Sequence, residues 1–374
     1  MIEMLDLRLG RFGACAIGRP AAGPPTDRRI KEKMTMLQTP QLTVKIVSTG
    51  MYHPQERFDN AYFIDYFMKR DNNDITRLLE HLGKETRYLS RNNPDENSLT
   101  MAQYAAEQAL ERSGLQPSDL QMIMFISDTP EYTYPTNAVL LHERLKTPNA
   151  HLVYDMNANC IGAISALDQA SIMMKAKNIK YALIAGGVSV SKAASDKEPI
   201  MFSAFADGGG AIILELTEAD DEQTGFVDAD FYTESIITDT AMYPNVGHSR
   251  MLDASIPESE KRVWHKEVDV SFFSAKWQGL ITGLLAKHGL EPGDVDHFIF
   301  SQLSLAENLK TLNLLGVDPG KQIYVGDKYG YTGVTGPIFA LNEAFQTGRI
   351  KPGDKLVICS VGLGYVMGAC LYRF

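Results

Sequence analysis

The chain has 374 residues, 44% of them hydrophobic and 22% charged, with a net charge of −10 and a pI near 5.4. This is globular composition with room for two domains or two fused half-domains, and its acidic balance excludes a protein that wraps nucleic acid through clustered Lys and Arg. No run of about 18 apolar residues occurs, so no membrane-spanning helix is expected. The four cysteines (15, 160, 359 and 370) have no CxxC or Cys/His metal spacing, and their scatter suits the reducing cytosol.

Residues 1–36 are rich in Gly, Pro, Ala and Arg without a hydrophobic period, and read as a disordered or mis-called N-terminal tail. They lack the apolar core of a secretory signal, and a transit peptide is the lesser alternative. A strand is expected near 43–49, a helix near 100–113, a strand near 121–127 and a helix near 136–146. A short strand then leads to Cys160, which opens a helix running to about 177. Strands follow near 180–186 and 210–216. The rest reads as helices near 270–288, 304–315 and 334–347, with strands near 297–302, 322–325, 355–360 and 365–373. Such alternation implies layered α/β architecture with buried sheets.

The chain echoes itself. "SGLQPSDLQMIMFIS" (113–127) and "HGLEPGDVDHFIFSQ" (288–302) both run Gly-Leu-x-Pro-x-Asp into an apolar strand, and both follow an amphipathic helix. Gly114 and Gly289 suit a helix end, Pro117 and Pro292 rigidify the exit, and Asp119 and Asp294 suit a cap on the turn. A second pair, 177–187 and 348–362, repeats a basic turn, an apolar strand and a Gly-containing stop. Two echoes in the same order favour a duplicated α/β unit, with halves over 42–217 and 218–374.

Cys160 lies between "VYDMNAN" and "IGAISALDQASIMMKAK". Gly162 and Ala163 keep the first helical turn slim, so another chain or a substrate can approach. A helix N-terminus lowers a thiol's pKa and makes it a nucleophile, whereas most cysteines are small buried apolar residues. Both readings stand on these features alone. Three stretches add to them: "FADGGGAIIL" (205–214), "GRIKPGDKLVICSVGLGYVMGACLYRF" (348–374) and "DTPEYTYPTNAVLLHERL" (128–145). With them, residues 42–374 resemble the β-ketoacyl-acyl carrier protein synthase III family of the thiolase-like superfamily.

The resemblance implies a five-layered α-β-α-β-α fold of two duplicated halves, and a homodimer. It implies that Cys160 accepts an acyl group from acyl-CoA or an acyl carrier protein, with coenzyme A or phosphopantetheine as substrate carrier and no permanently bound cofactor or metal. An acyl-enzyme divides one hard exchange into two easier steps. The oxyanion hole would be the backbone N–H groups of Cys160 and Leu363, in the turn Gly362-Leu363-Gly364.

Two positions depart from the family. Its His opens a His-Gln-Ala-Asn-Leu stretch that here reads "FSQLSLAENL", placing Ser301 at the His position. Its Gly-Asn-Thr turn here reads "KYGYTGVTG", placing Tyr331 at the Asn position. Both residues offer a hydroxyl, but neither is a near-neutral base, and Tyr331 would fill part of the pocket. His297, on the same strand as Ser301, is about 13 Å away at strand rise and reads as a strand-start residue. His248 and Glu131 are the candidate acid/bases, both in loops, with Asp128 beside Glu131 after its strand. Cys359 and Cys370 read as core, Asp207 with Gly208–Gly210 as a tight structural turn, and "EADDEQ" (218–223) as a solvated loop.

The function read from this is acyl-thioester transfer of the ketoacyl-carrier-protein synthase III type, in fatty-acid-like or specialised-metabolite (polyketide) biosynthesis. Ser301 and Tyr331 in place of the His and Asn put decarboxylative condensation in doubt. The alternative is a non-catalytic or half-active subunit of a synthase III-like heterodimer. A third reading is a thiolase or hydroxymethylglutaryl-synthase-like condenser that uses its own acid/base.

Overall fold

The computed structural model describes residues 41–374 apart from 221–222, 236–237 and 267–269; the expected tail over 1–36 lies outside the described residues. The strands are β1 (Leu42–Tyr52), β2 (Arg57–Asp59), β3 (Thr86–Tyr88), β4 (Met122–Ile126), β5 (Leu152–Met156), β6 (Tyr181–Val188), β7 (Gly208–Glu218), β8 (Gly225–Thr233), β9 (His297–Phe300), β10 (Lys355–Gly362) and β11 (Val366–Arg373). The longer helices are α1 (Asn60–Asp71), α2 (Thr76–Leu82), α3 (Ser98–Ser113), α4 (Asn137–Leu145), α5 (Gly162–Lys177), α6 (Phe273–Lys287), α7 (Leu305–Leu315) and α8 (Gly336–Gln346).

One sheet has the order β1-β7-β6-β4-β5 and another β8-β11-β10-β9, while β2 and β3 form a separate hairpin. Strand parity builds the layers. In β4, Met122, Met124 and Ile126 face one core and Ile123 and Phe125 face another. The first core continues through α5 and α8 to Leu356, Ile358 and Cys370 of the second sheet. The second core holds α3 and α4 on the outer face of the first sheet. On the outer face of the second sheet, Phe298, Phe300, Val357 and Cys359 pack on α6 and on Leu312 of α7. The order is thus helices, sheet, helices, sheet, helices, and a strand such as β4 is apolar on both faces because both are covered. The fold is α/β and five-layered.

The repeated motifs have the same local structure. Gly114 and Gly289 both take left-handed φ, +70° and +66°. Pro117–Asp119 and Pro292–Asp294 each form a single 3₁₀ turn. The Asp119 carboxylate accepts from Gln116 N at 2.8 Å, and that of Asp294 from Glu291 N at 2.8 Å.

Two expectations are corrected. Residues 322–325 make only an isolated bridge, Phe298 to Gln322, before the chain turns into a short helix at Gly326, so no strand forms there. Cys160 does not open the α-helix: Asn159–Ile161 is a 3₁₀ turn and α5 begins at Gly162. The elements at 57–88 and β8 were not expected at all.

Candidate active site

The chain from β5 to α5 is built to present Cys160. Asn159 takes a left-handed φ of +49° and its N–H donates to the Asn157 side chain at 2.9 Å. The turn ends where Gly162 packs against Val334, whose Cγ2 would lie 2.6 Å from a Cβ at residue 162. Only glycine permits that approach. The Ser360 hydroxyl of β10 donates to the Cys160 carbonyl at 3.1 Å, tying the second sheet to the turn. Cys160 is itself 5% exposed.

A cavity of about 340 Å³ ends on Cys160 and is lined also by Asp128, Thr129, Asn157, Val188 and Gly333. A second space of about 60 Å³ shares Cys160, Phe205, Leu363 and Gly364 with it and adds His265, Leu303 and Tyr331. A third, about 160 Å³ and mainly apolar, shares His265, Phe273 and Leu303 with the second and reaches Trp277, Leu78 and Ser301. The thiol stands where the first two spaces meet.

Tyr331 is buried and clamped by its backbone: its N–H donates to Ala204 O at 3.0 Å and its carbonyl accepts from Ala206 N at 2.9 Å. Its ring meets Phe205 edge-on, with centroids 4.8 Å apart. Its hydroxyl lies between two partners, donating to the Cys160 sulfur and accepting from the Ser301 hydroxyl. Ser301 Oγ in turn accepts from Leu303 N at 3.4 Å. Ser301 and Tyr331 therefore join Cys160 in one hydrogen-bonded chain.

The Gly362–Tyr365 turn between β10 and β11 comes against the same place. Gly364 and Tyr365 both have left-handed φ, +77° and +58°, and Tyr365 N donates to Gly362 O at 3.1 Å. The backbone N of Cys160 would lie 3.5 Å from a Cβ at Gly362, so the turn carrying Leu363 runs beside the Cys160 amide.

Comparisons with known proteins bear on the family and the fold. The family model for 3-oxoacyl-[acyl-carrier-protein] synthase III matches residues 154–235, and that for its C-terminal region matches 285–374. A β-ketoacyl-[acyl-carrier-protein] synthase III of Coxiella burnetii is 28% identical over 335 residues, covering 88% of this chain and 98% of its own length. The chain is similar to the synthase III family in both of these regions and along most of its length. Among solved structures, the 3-oxoacyl-[acyl-carrier-protein] synthase III of Aquifex aeolicus superposes with a TM-score of 0.76 at 24% identity, over 88% of this chain and all (100%) of that one. The priming β-ketosynthase of the R1128 polyketide pathway gives 0.77 at 18% identity, over 90% and 99%.

Within this fold, the electrostatics of the thiol bear on the two readings of the sequence. Burial first, and then the Asp128 carboxylate, push the Cys160 pKa up to about 12; the Tyr331 hydrogen bond opposes them. Of the two readings open at Cys160 the buried thiol is favoured, because the residue precedes α5 and is cut off from water, which penalises the thiolate. Burial also holds the Tyr331 phenol well above its usual range.

Glu131 and His248 do not join the site. Glu131 is exposed beyond Pro130, where the loop after β4 runs outward, and His248 is exposed on a 3₁₀ turn; neither lines a cavity that reaches Cys160. The acid that does is Asp128. His297 Nε2 pairs with Asp354 at 2.9 Å at the start of β9, a structural contact. Asp207 accepts from Ser90 N at 2.7 Å, Ser191 N at 2.9 Å and both serine hydroxyls, binding loops rather than a phosphate. Cys359 and Cys370 are buried in β10 and β11.

Sequence reasoning missed His265, which lines the second and third spaces and whose buried Nδ1 has no hydrogen-bond partner. No signal marked it, since it lies in a loop without period or motif. Asp128 did carry one: it lies two residues past the apolar end of a buried strand, close to where the chain leaves the interior.

Proposed function

We propose that the protein is an acyl-thioester transferase of the synthase III type. Cys160 takes an acyl group from acyl-CoA or an acyl carrier protein and passes it to an acceptor in fatty-acid-like or specialised-metabolite biosynthesis. The observation that carries the reading is the position of Cys160. The sulfur accepts a hydrogen bond from Tyr331 at the junction of a mixed polar cavity and an apolar one. A thioester entering the first cavity meets the sulfur, and an acyl chain has apolar space beyond it. Attack forms the Sγ–C bond and breaks the bond to the donor thiol, and in this reading the Cys160 and Leu363 amides hold the oxyanion.

Decarboxylating condensation is not part of the reading. It asks for donors on a developing enolate, and each one lost typically costs about 10²–10³ in rate. Here Ser301 donates to Tyr331 and Tyr331 to the thiol, so both hydroxyl protons are engaged. The same reading includes a homodimer in the cytoplasm.

The test is intact-protein mass after mixing with a panel of acyl-CoAs and acyl carrier proteins, beside Cys160→Ala. One acyl group gained by the unmodified protein and absent from the variant is the expected result. No gain with any donor rejects the reading and favours the second one, a non-catalytic or half-active partner subunit. The observation that favours this second reading is the high pKa of the free thiol.

A further inference from the structure

The described cavities and buried polar groups include one carboxylate that the acyl-transfer chemistry above leaves unused. Asp128 lies two residues past the end of β4 and lines the cavity that reaches Cys160. Its Oδ1 is sealed from solvent and has no hydrogen-bond partner. A buried acceptor without a donor is costly, and a fold retains one where something else is to meet it. Its other oxygen, Oδ2, faces Gly333, next but one to Tyr331, and would lie 3.6 Å from a Cβ there. Its neighbour Thr129 is held in place, its hydroxyl oxygen accepting from Ser189 N at 3.0 Å.

Acyl transfer needs a proton carrier here. The thiol is a weak acid, Ser301 and Tyr331 are hydroxyls, and Glu131 and His248 lie outside. We propose that Asp128 is the general base and acid of acyl transfer at Cys160, and that the acceptor is therefore a molecule bringing its own exchangeable proton: an alcohol, amine or thiol. This inference rests on the acyl-transfer reading.

The steps balance. In loading, the Cys160 proton passes to the Asp128 carboxylate as Sγ attacks the donor carbonyl. The C–S bond of the donor then breaks, and its thiolate leaves with that proton. In transfer, the acceptor's X–H group attacks the acyl-Cys160 carbonyl and gives its proton to Asp128. The C–Sγ bond breaks, and the proton returns to the Cys160 sulfur. Nothing is oxidised and no co-reactant is needed.

Burial raises the Asp128 pKa to about 6, the range in which a carboxylate both accepts and releases a proton near neutrality. The titratable groups facing it are Cys160, from the turn before α5, and Tyr331, from the turn before α8. Both stay neutral between about pH 5 and 7.5 because burial pushes them up. His265 lies on the adjoining space, held below its usual range by burial.

The experiment loads the protein with an acyl-CoA that acylates Cys160, removes the excess, and adds N-acetylcysteamine, a thiol fragment of pantetheine. Intact mass follows loss of the acyl group in one turnover from about pH 5 to 7.5, and only the acylated fraction is counted. The expected rate rises through about pH 6 to a plateau. Asp128→Asn is expected to slow it by about 10²–10⁴-fold and remove the inflection, and formate is expected to restore part of the rate to Asp128→Ala. A flat profile in the unmodified protein overturns the proposal without need of any variant. So does an Asp128→Asn rate within a few-fold of the original, or an inflection that survives Asp128→Asn and is lost in His265→Gln. Failure to load with any donor overturns the acyl-transfer reading as well, and it shows before the chase begins.

Discussion

Cys160, Tyr331 and Asp128 set one another's chemistry. A thiol with a pKa near 12 is ionised at about pH 7.5 in on the order of one molecule in 10⁴ or fewer. Iodoacetamide is therefore expected to label Cys160 at least about tenfold more slowly than free cysteine, with a rate that climbs at higher pH. Labelling as fast as free cysteine would show that the thiolate is stabilised after all. Removing the phenol proton in Tyr331→Phe takes away the side-chain hydrogen bond that opposes the upward shift, and acyl loading should slow about tenfold. Asp128 also bears on stability. Its folded pKa of about 6 is above the ordinary 3.8, so the folded state binds the extra proton and stability declines as pH rises from about 4 to 6. Asp128→Asn should leave the unfolding free energy at about pH 4 unchanged and raise it at about pH 7.5 by about 1–3 kcal/mol, the partial exposure of the residue keeping it below the full linkage value. Urea melts at the two pH values check the sign; equal effects at both would sink it.

Helix α3 and the first sheet meet through glycines. A Cβ at Gly187 would lie 1.9 Å from Ser98 O, one at Gly209 2.1 Å from Met101 O, and one at Gly50 2.0 Å from Ala105 O. The Gly-rich entry to β7 thus serves close helix-on-sheet packing, with Asp207 fastening the loops at its start. Backbone cannot retreat as a side-chain tip can, so Gly187→Ala is expected to lose more than about 3 kcal/mol of stability or fail to accumulate. A thermal melt unchanged from the original protein would refute this packing account. The turns that place Cys160 and Leu363 depend on backbone in the same way, through Asn159, Gly364 and Tyr365 in left-handed conformations.

Across the whole molecule, long side chains cross the layers. Arg112, at the end of α3, donates to Asn342 Oδ1 of α8 at 2.7 Å and to Thr49 O at 2.8 Å. Thr49 Oγ1 donates to the same Asn342 oxygen at 3.1 Å. Asn342→Ala leaves the buried Thr49 hydroxyl and one hydrogen of the exposed Arg112 guanidinium without their acceptor, at an expected cost of about 1–3 kcal/mol in unfolding free energy. The loss should be smaller in Arg112→Met/Asn342→Leu, which removes donor and acceptor together. Lys84 links the layers differently, from the loop after α2 to the Gln302 carbonyl and to Tyr324 Oη at 2.8 Å, directly behind Ser301.

Local chemistry was legible in the residues. Apolar runs such as "MIMFI" state that both faces of β4 are covered, and the duplicated Gly-Leu-x-Pro-x-Asp states its own turn, because each depends on neighbours within a few positions. The positions of Ser301 and Tyr331 came instead from the resemblance, by matching the stretches around them to the family's. What only the tertiary structure decided was the environment of the thiol. Its pKa depends on how much water the layers exclude and on which carboxylate they bring near, and neither is a property of the residues beside Cys160. Spacing alone could not choose between Glu131 and Asp128. They sit three positions apart on one loop, and the packing of β4 turns Asp128 inward while the chain carries Glu131 out to solvent. His265 was invisible for the same physical reason: its place beside the site is set by the layers that close around a loop, not by any pattern in the loop itself.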